Sequence, residues 1–359
     1  MPFLGCCKKR NTMSLASGHN LVSLEGEELA RQERDWQGYS EGIVRLHPGR
    51  WLFPSTFKRF ADEYYNFKLK PDDVVLLTWP KCGTTWLQEI MWTMRYNPDL
   101  NNPMAAAPVN ARVPFLEMDT LLKTKNIDPI GPDHPLMQGF KKMCPGREPE
   151  NGVFLQMCEL APEPRTFKSH LALPLLPTDL LKTSKAVYMA RNPKDAVVSF
   201  FHHSRIFKNH DFKGTFEEFV QYFLDDDCVY GPYWLHLKEA WKQRKNPNLH
   251  FMFFEDLKNN NMEELKKLDK FLGTNLSQEQ LDNVAHYTSF AEMKARDAVL
   301  GAGSEIFFNV DIVQKDGGFF RQGKVGDWKG KYTPELEAKM DKWIKKNLGD
   351  FGIEFKYGV

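Results

Sequence analysis

Val74-Val75-Leu76-Leu77-Thr78-Trp79-Pro80-Lys81-Cys82-Gly83-Thr84-Thr85-Trp86 is the stretch on which the fold turns. Its opening is a short β-rich run closed by Pro80, the pattern of a strand buried on both faces in a parallel sheet. From Thr84 to Tyr96, Leu87, Ile90, Met91 and Met94 recur at helical spacing, and Asn97-Pro98 stops the run. Strand and helix are joined by the loop Pro80-Lys81-Cys82-Gly83-Thr84. Unpaired amides at a helix N-terminus, together with its dipole, favour a phosphate in such a loop. Gly83 lets backbone approach closely, Thr84 and Thr85 add hydroxyls, and Lys81 supplies a charge. The triphosphate loop GxxxxGK[ST] places its lysine after the second glycine. Here Lys81 precedes a lone glycine, so an ordinary ATP or GTP loop does not fit. Taken alone, the loop also admits a plainer reading, a solvated lysine beside capping threonines.

Outward from this unit the pattern recurs. Ala186–Ala190 reads as a strand, Arg191-Asn192-Pro193 as a turn, and Lys194 to Phe207 as an amphipathic helix. Leu249 to Phe254 is a further strand, followed by a helix over Glu263–Leu272. Ser277 with Gln280 forms a capping box. Thr333-Pro334 opens a last helix with Leu336, Met340, Trp343, Ile344 and Leu348 on one face, ended by Gly349. Alternating strands and helices predict an α/β fold in one domain, a central, mainly parallel sheet flanked by helices with a P-loop-like nucleotide site. Residues 1–40 are polar and irregular and read as a flexible extension, with the domain proper over 41–359. The span 119–166 is rich in proline and weakly periodic, an insertion or lid.

The chain has 359 residues and a formal net charge of +1, so no global excess of charge points to nucleic acid or a membrane surface. Any anion must be held by local clustering of cations. The six cysteines show neither CxxC pairs nor metal-ligand spacing and read as reduced thiols in a cytoplasmic protein. No apolar run approaches the roughly 18 residues of a membrane span. Cys6-Cys7 before Lys8-Lys9-Arg10 has the composition of a palmitoylation site beside a basic patch, though such tails are more often plain disorder.

Further segments, taken in chain order, make the chain recognisable. Thr78–Trp86 resembles the 5′-phosphosulfate loop TYPKSGTTW of the cytosolic sulfotransferases. Phe167-Lys168-Ser169-His170-Leu171 resembles their KTHLP segment, and Val187–Asp195 with Ser199 their VYVARNAKD…S segment. Phe253–Asp256 is similar to FYEDM, His286–Phe290 to HTSF, and Phe319–Trp328 to FxRKGxxGDW. These matches span roughly residues 40–350.

The resemblance implies transfer of a sulfonate from 3′-phosphoadenosine 5′-phosphosulfate, a co-substrate, to a hydroxyl or amine of a small lipophilic acceptor. No metal is implied. His170 takes the place of the general base, a role suited to imidazole. Lys81 and Lys168 take the places of the cations that stabilise the bridging oxygen and the sulfonate. Lys81, Cys82, Gly83, Thr84, Thr85 and Trp86 form the 5′ loop. Arg191, Ser199 and Arg321 match the 3′-phosphate contacts, with Gln322 and Gly323 adding amides. Without that context Arg191 would read as a surface partner of Asp195. Trp86, Phe254, Thr288 and Phe290 match positions around the adenine.

Arg112–Met118 resembles the VPFLE segment of the acceptor pocket, implying Phe115 and Met118 as walls with His170, His203, Phe307 and Phe308. The chain departs from the pattern at Cys82 for serine, Phe254 for tyrosine and Gln322 for lysine, which weakens donor contacts without touching the chemical step. A thiol at a helix N-terminus beside Lys81 is expected to be acidic and reactive if it reaches the loop surface, and inert if it is buried, and the residues leave both readings open. The dimer motif KxxxTVxxxE is degenerate: Lys329 and Thr333 fit, but Pro334 and Ala338 do not, so a homodimer is in doubt. The span 119–166 is longer than in vertebrate members and similar to arthropod members that include a retinol dehydratase. Two other readings stand beside transfer: a dehydratase acting through transient sulfonation, and a silent nucleotide-binding scaffold.

Overall fold

The computed structural model describes residues 12–39, 41–122, 130–296, 304–315, 318–349 and 351–356, and Cys6 and Cys7 lie outside them. Four parallel strands form the central sheet: β5 (Val74–Leu77), β6 (Thr166–Ser169), β7 (Lys185–Ala190) and β8 (Leu249–Phe253), in the order β6-β5-β7-β8. The register sets Leu77 opposite both Ser169 and Tyr188, so β5 and β6 end level while β7 and β8 run on about two residues further. Val75, Leu77, Ala186, Tyr188 and Ala190 enter one apolar cluster, while Val74, Leu76, Val187 and Met189 enter the other. Alternate side chains thus pack on opposite faces, which is why these strands read as unbroken apolar runs. Helices Thr84–Tyr96 and Pro193–Ile206 follow β5 and β7, at the expected places. The Ser277–Gln280 capping box is formed, and Thr333 caps Pro334–Leu348 by accepting the Leu336 N–H.

The expectation of a flexible extension over residues 1–40 needs correction for residues 12–39, and the rest of it lies outside the described residues. Residues 12–54 build a second, antiparallel sheet from β1 (Thr12–Ser14), β2 (Asn20–Ser23), β3 (Ile43–His47) and β4 (Trp51–Pro54), with a helix at Gly26–Asp35. Its few apolar residues are large and well placed: Leu21 and Trp36 are buried in the main core, and Tyr222 holds Asp35 from a distant helix at 2.8 Å. A low apolar content therefore misled the reading of this segment, because position mattered more than number. The long excursion carries helices at Pro135–Met143 and Val153–Leu160. Their Phe140, Val153, Phe154 and Met157 form a small core of their own, against which Met118 and Leu122 pack.

Candidate active site

Every parallel strand delivers a polar residue just past its C-terminal end, the edge at which open α/β sheets bind ligands. After β5 come Thr78 and the loop to Gly83; after β6, His170; after β7, Arg191; after β8, Phe254 and Glu255.

The loop after β5 is shaped by two residues in left-handed backbone conformations, Lys81 at φ +66° and Gly83 at φ +100°. A Cβ on Gly83 would meet the Phe254 ring at 2.7 Å and the Met189 sulfur at 2.8 Å, so only glycine closes the turn. Thr84 Oγ1 lies 2.6 Å from Thr78 Oγ1, tying the start of the helix to the end of the strand.

His170 is fixed at its ring and its backbone. Its Nδ1 is 2.8 Å from the Thr78 carbonyl oxygen and 3.1 Å from Thr78 Oγ1. A carbonyl only accepts, so Nδ1 carries the proton and Nε2 keeps its lone pair. The His170 N–H donates to Glu117 Oε1 at 2.6 Å. Burial, and then Lys168, hold the imidazole well below its usual pKa, so it is neutral and free to accept a proton at pH 7.

Glu117 belongs to the segment 114–118, which runs along the outer edge of β6. Lys168 N–H donates to Pro114 O and Leu116 N–H to Lys168 O, both at 2.9 Å. This edge sets the Phe115 ring 5.0 Å from His170 and 4.7 Å from Lys168 Nζ. Burial pushes the Glu117 carboxyl up to about 8.

Four cations share one end of the cleft. Burial, then the charges of Arg191, Lys168 and Arg321, push Lys81 down to about 7. Burial likewise brings Lys168 to about 8. Arg191 donates to the carbonyls of Lys81 and Lys324, each at 3.2 Å, while its buried Nε has no partner among the described residues. Such crowding disfavours the charged forms until an anion arrives, and the orphaned Nε is a donor awaiting an acceptor. These residues therefore fit a multiply anionic nucleotide. Arg321 is ion-paired with Asp327.

Asp195 does not pair with Arg191. Its Oδ2 accepts Gly326 N–H at 2.8 Å and its Oδ1 accepts Trp328 N–H at 2.9 Å. Glu255 in turn accepts the Asn192 N–H at 2.8 Å. The three segments read separately in the sequence, 191–195, 253–256 and 319–328, are thus one hydrogen-bonded assembly around Arg191.

A single cleft is lined by Lys81, Gly83, Thr84, Thr85, Trp86, Phe115, Met118, Lys168, His170, Arg191, Ser199, His203, Phe254, Phe290, Arg321, Gln322 and Gly323. Trp86 and Phe254 meet edge to face at 5.6 Å, an aromatic slot beside the loop that follows β5. Gly323, at φ +57°, abuts the Phe290 ring, where a Cβ would come within 2.3 Å.

Four expected site residues do not line the cleft. Cys82 is buried beneath the loop, and burial pushes its thiol up to about 12, which agrees with the inert reading and not the reactive one. Desolvation outweighs the helix N-terminus because the thiol faces core rather than cleft. Thr288 turns its hydroxyl back to Val284 O at 2.8 Å. Phe307 is half-exposed and does not line the cleft, and Phe308 sits one layer behind: it packs on Phe207 at 4.3 Å, and it is Phe207 that faces the cleft. Tyr230, Phe319 and Phe320 were missed as lining residues. The two phenylalanines directly precede Arg321 and were legible there, whereas Tyr230 comes from a remote turn at φ +67° with no sequence signal.

Among the described residues no helix is long and apolar enough to cross a membrane, and no cluster of three or more His, Cys, Asp or Glu side chains could hold a metal ion. Residues 71–352 match the family described as the sulfotransferase domain. Sulfotransferase 1A1 of Rattus norvegicus is 35% identical over 293 residues, 81% of this chain and 89% of that protein. Sulfotransferase 1E1 of Bos taurus is 34% identical over 304 residues, 84% of this chain and 92% of that protein. A solved retinol dehydratase, in complex with androsterone and the inactive cofactor PAP, superposes with a TM-score of 0.78 at 27% identity. It covers 94% of this chain and 98% of its own.

Proposed function

The chain belongs to the sulfotransferase family, and from that premise we propose that it transfers the sulfonate of 3′-phosphoadenosine 5′-phosphosulfate to a small lipophilic hydroxyl or amine, with His170 as general base. The observation behind this reading is the contact of His170 Nδ1 with the Thr78 carbonyl at 2.8 Å, which leaves Nε2 as the ring's basic atom. The acceptor oxygen attacks sulfur and its proton passes to Nε2. The new S–O bond forms as the bond from sulfur to the bridging phosphate oxygen breaks, and the nucleotide departs with that electron pair. Lys81 stabilises the charge growing on the bridging oxygen, and Lys168 that on the sulfonate; the logic is that of phosphoryl transfer, positioning plus fixed charge. Arg191, Ser199 and Arg321 hold the 3′-phosphate, for which Arg321 exchanges its partner Asp327.

On the acceptor side Phe115, Met118, Phe207 and Tyr230 form the walls. The helices at 135–143 and 153–160 pack against Met118, which supports reading them as a lid over this end. Dehydration through a transient sulfate ester is a second reading. It has one specific observation behind it, the likeness to retinol dehydratase that runs over 94% of the chain.

Calorimetry with 3′-phosphoadenosine 5′-phosphate tests the donor site, and no heat with folded protein ends the reading. Turnover of labelled donor over a panel of phenols, sterols, retinoids and monoamines tests transfer. His170→Ala is expected to bind nucleotide normally and to lose at least about 1000-fold in kcat. An allylic alcohol separates the two outcomes, a sulfate ester for the transferase and an anhydro product for the dehydratase.

A further inference from the structure

His170 lies one residue beyond the last ladder position of β6, so the sheet no longer holds its peptide groups. Its N–H goes to Glu117; its carbonyl goes elsewhere, to His236. This residue sits in the helix Tyr233–Lys242, is 1% exposed, and does not line the cleft. His236 Nε2 is 3.0 Å from the His170 carbonyl oxygen. Because a carbonyl only accepts, Nε2 bears the hydrogen and Nδ1 is bare. The bare Nδ1 lies 2.8 Å from the hydroxyl of Tyr188, which therefore donates to it. Tyr188 is itself buried, on the strand between β5 and β8.

We propose that His236 is a positioning residue for sulfonate transfer: it fixes the backbone of His170, and the Tyr188 hydroxyl selects the His236 tautomer that can do so. The other tautomer would point a lone pair at the His170 carbonyl and break the contact. Burial supports the arrangement by pushing His236 down to about 4, so the ring stays neutral and its single hydrogen has one use. The chain Tyr188–His236–His170 links the centre of the sheet to the base without touching either substrate. Small displacements of a base relative to its proton are costly, on the order of 100-fold in rate for about 1 Å.

The inference rests on the reading of His170 as base, and the test separates the two. His236→Leu is expected to lower kcat about 10- to 100-fold, with nucleotide affinity and acceptor KM within about twofold of wild type. His236→Gln, whose amide can donate to the same carbonyl, restores kcat to within about fivefold. Tyr188→Phe, which keeps the volume, lowers kcat by an intermediate factor and decides the matter if His236→Leu does not fold. His236→Leu with wild-type kcat would overturn the proposal. So would a loss shared equally by nucleotide binding and left unrescued by glutamine, which marks a merely structural residue. If His170→Ala itself keeps its turnover, the base reading fails first; if it is inactive while His236→Leu is not, only this inference falls.

Discussion

Asp119 caps the helix that Val153 opens, 34 residues further along the chain: Oδ1 accepts the Val153 N–H at 2.7 Å, and Oδ2 accepts the Leu155 N–H at 2.9 Å. Gly152 stands at the cap position and has no side chain to serve these amides. The carboxylate thus ties the helix at 153–160 to the segment next to Met118, a residue of the proposed acceptor wall. Asp119→Ala leaves buried amides unpaired and is expected to cost roughly 2 kcal/mol. The melting temperature should fall by several degrees and acceptor KM should rise, while nucleotide affinity holds. Weakened nucleotide binding with unchanged acceptor KM would show that this unit does not serve the acceptor.

Lys81 gives donor binding a pH dependence of defined sign. In the free protein it titrates at about 7, lowered by burial and by three neighbouring cations. A bound dianion favours the charged form, so the amine titrates higher in the complex than in the free protein. Between these two values binding takes up a proton at Lys81, and affinity falls as pH rises above 7, by at most about tenfold per unit from this amine, with Lys168 adding its own share above about 8. Titrations in buffers of different ionisation enthalpy should report proton uptake at pH 8 and less at pH 6. Proton-neutral binding at both would place the depressed amine elsewhere.

How far this was legible in the sequence follows the range of the interactions. The strand–loop–helix at 74–96 is local, and its periodicity and the position of Gly83 suffice to read it. The placing of Lys81, His170, Arg191 and Arg321 on one cleft came from recognisable segments rather than from spacing. What the sequence hid is set by long-range burial. Trp36 draws residues 12–39 into the main core, a contact with no signal in the local composition. Phe308 was one layer off because a phenylalanine behind a wall and one in it look alike until the helix carrying Phe207 is placed. Glu117 and His236 were invisible as partners of His170, for each reaches it across a large sequence separation.

Of the two readings of Cys82, a reactive thiol or an inert buried one, its burial favours the second. It is 1% exposed, and burial raises its thiol to about 12, so almost none is thiolate at pH 7. Thiol reagents at moderate concentration should leave both nucleotide binding and turnover intact. Cys82→Ser should cost about 1 kcal/mol of stability for the buried hydroxyl and change donor KM by less than about twofold. Rapid inactivation of wild type that Cys82→Ser escapes would mean that the loop opens far more than this packing suggests.

Asp195 makes the sharpest case for separating donor from acceptor effects. Its carboxylate, 1% exposed, receives Asn192 Nδ2 at 2.9 Å as well as the backbone amides of Gly326 and Trp328. These bonds fix the segment that carries Arg321, Gln322 and Gly323 against the turn that carries Arg191. Both ends of the proposed 3′-phosphate site therefore depend on one side chain outside the set proposed to hold that phosphate. Asp195→Asn keeps the volume but turns an NH2 toward one of the two amides it now serves, leaving a buried donor facing a donor, at roughly 2–3 kcal/mol. Donor KM should rise about tenfold or more, acceptor KM should stay put, and the affinity advantage of the 3′-phosphorylated nucleotide over adenosine 5′-phosphosulfate should shrink. A uniform loss for both donors would instead mean that Asp195 supports the 5′ loop and the cleft as a whole, since only the 3′ site distinguishes the two nucleotides.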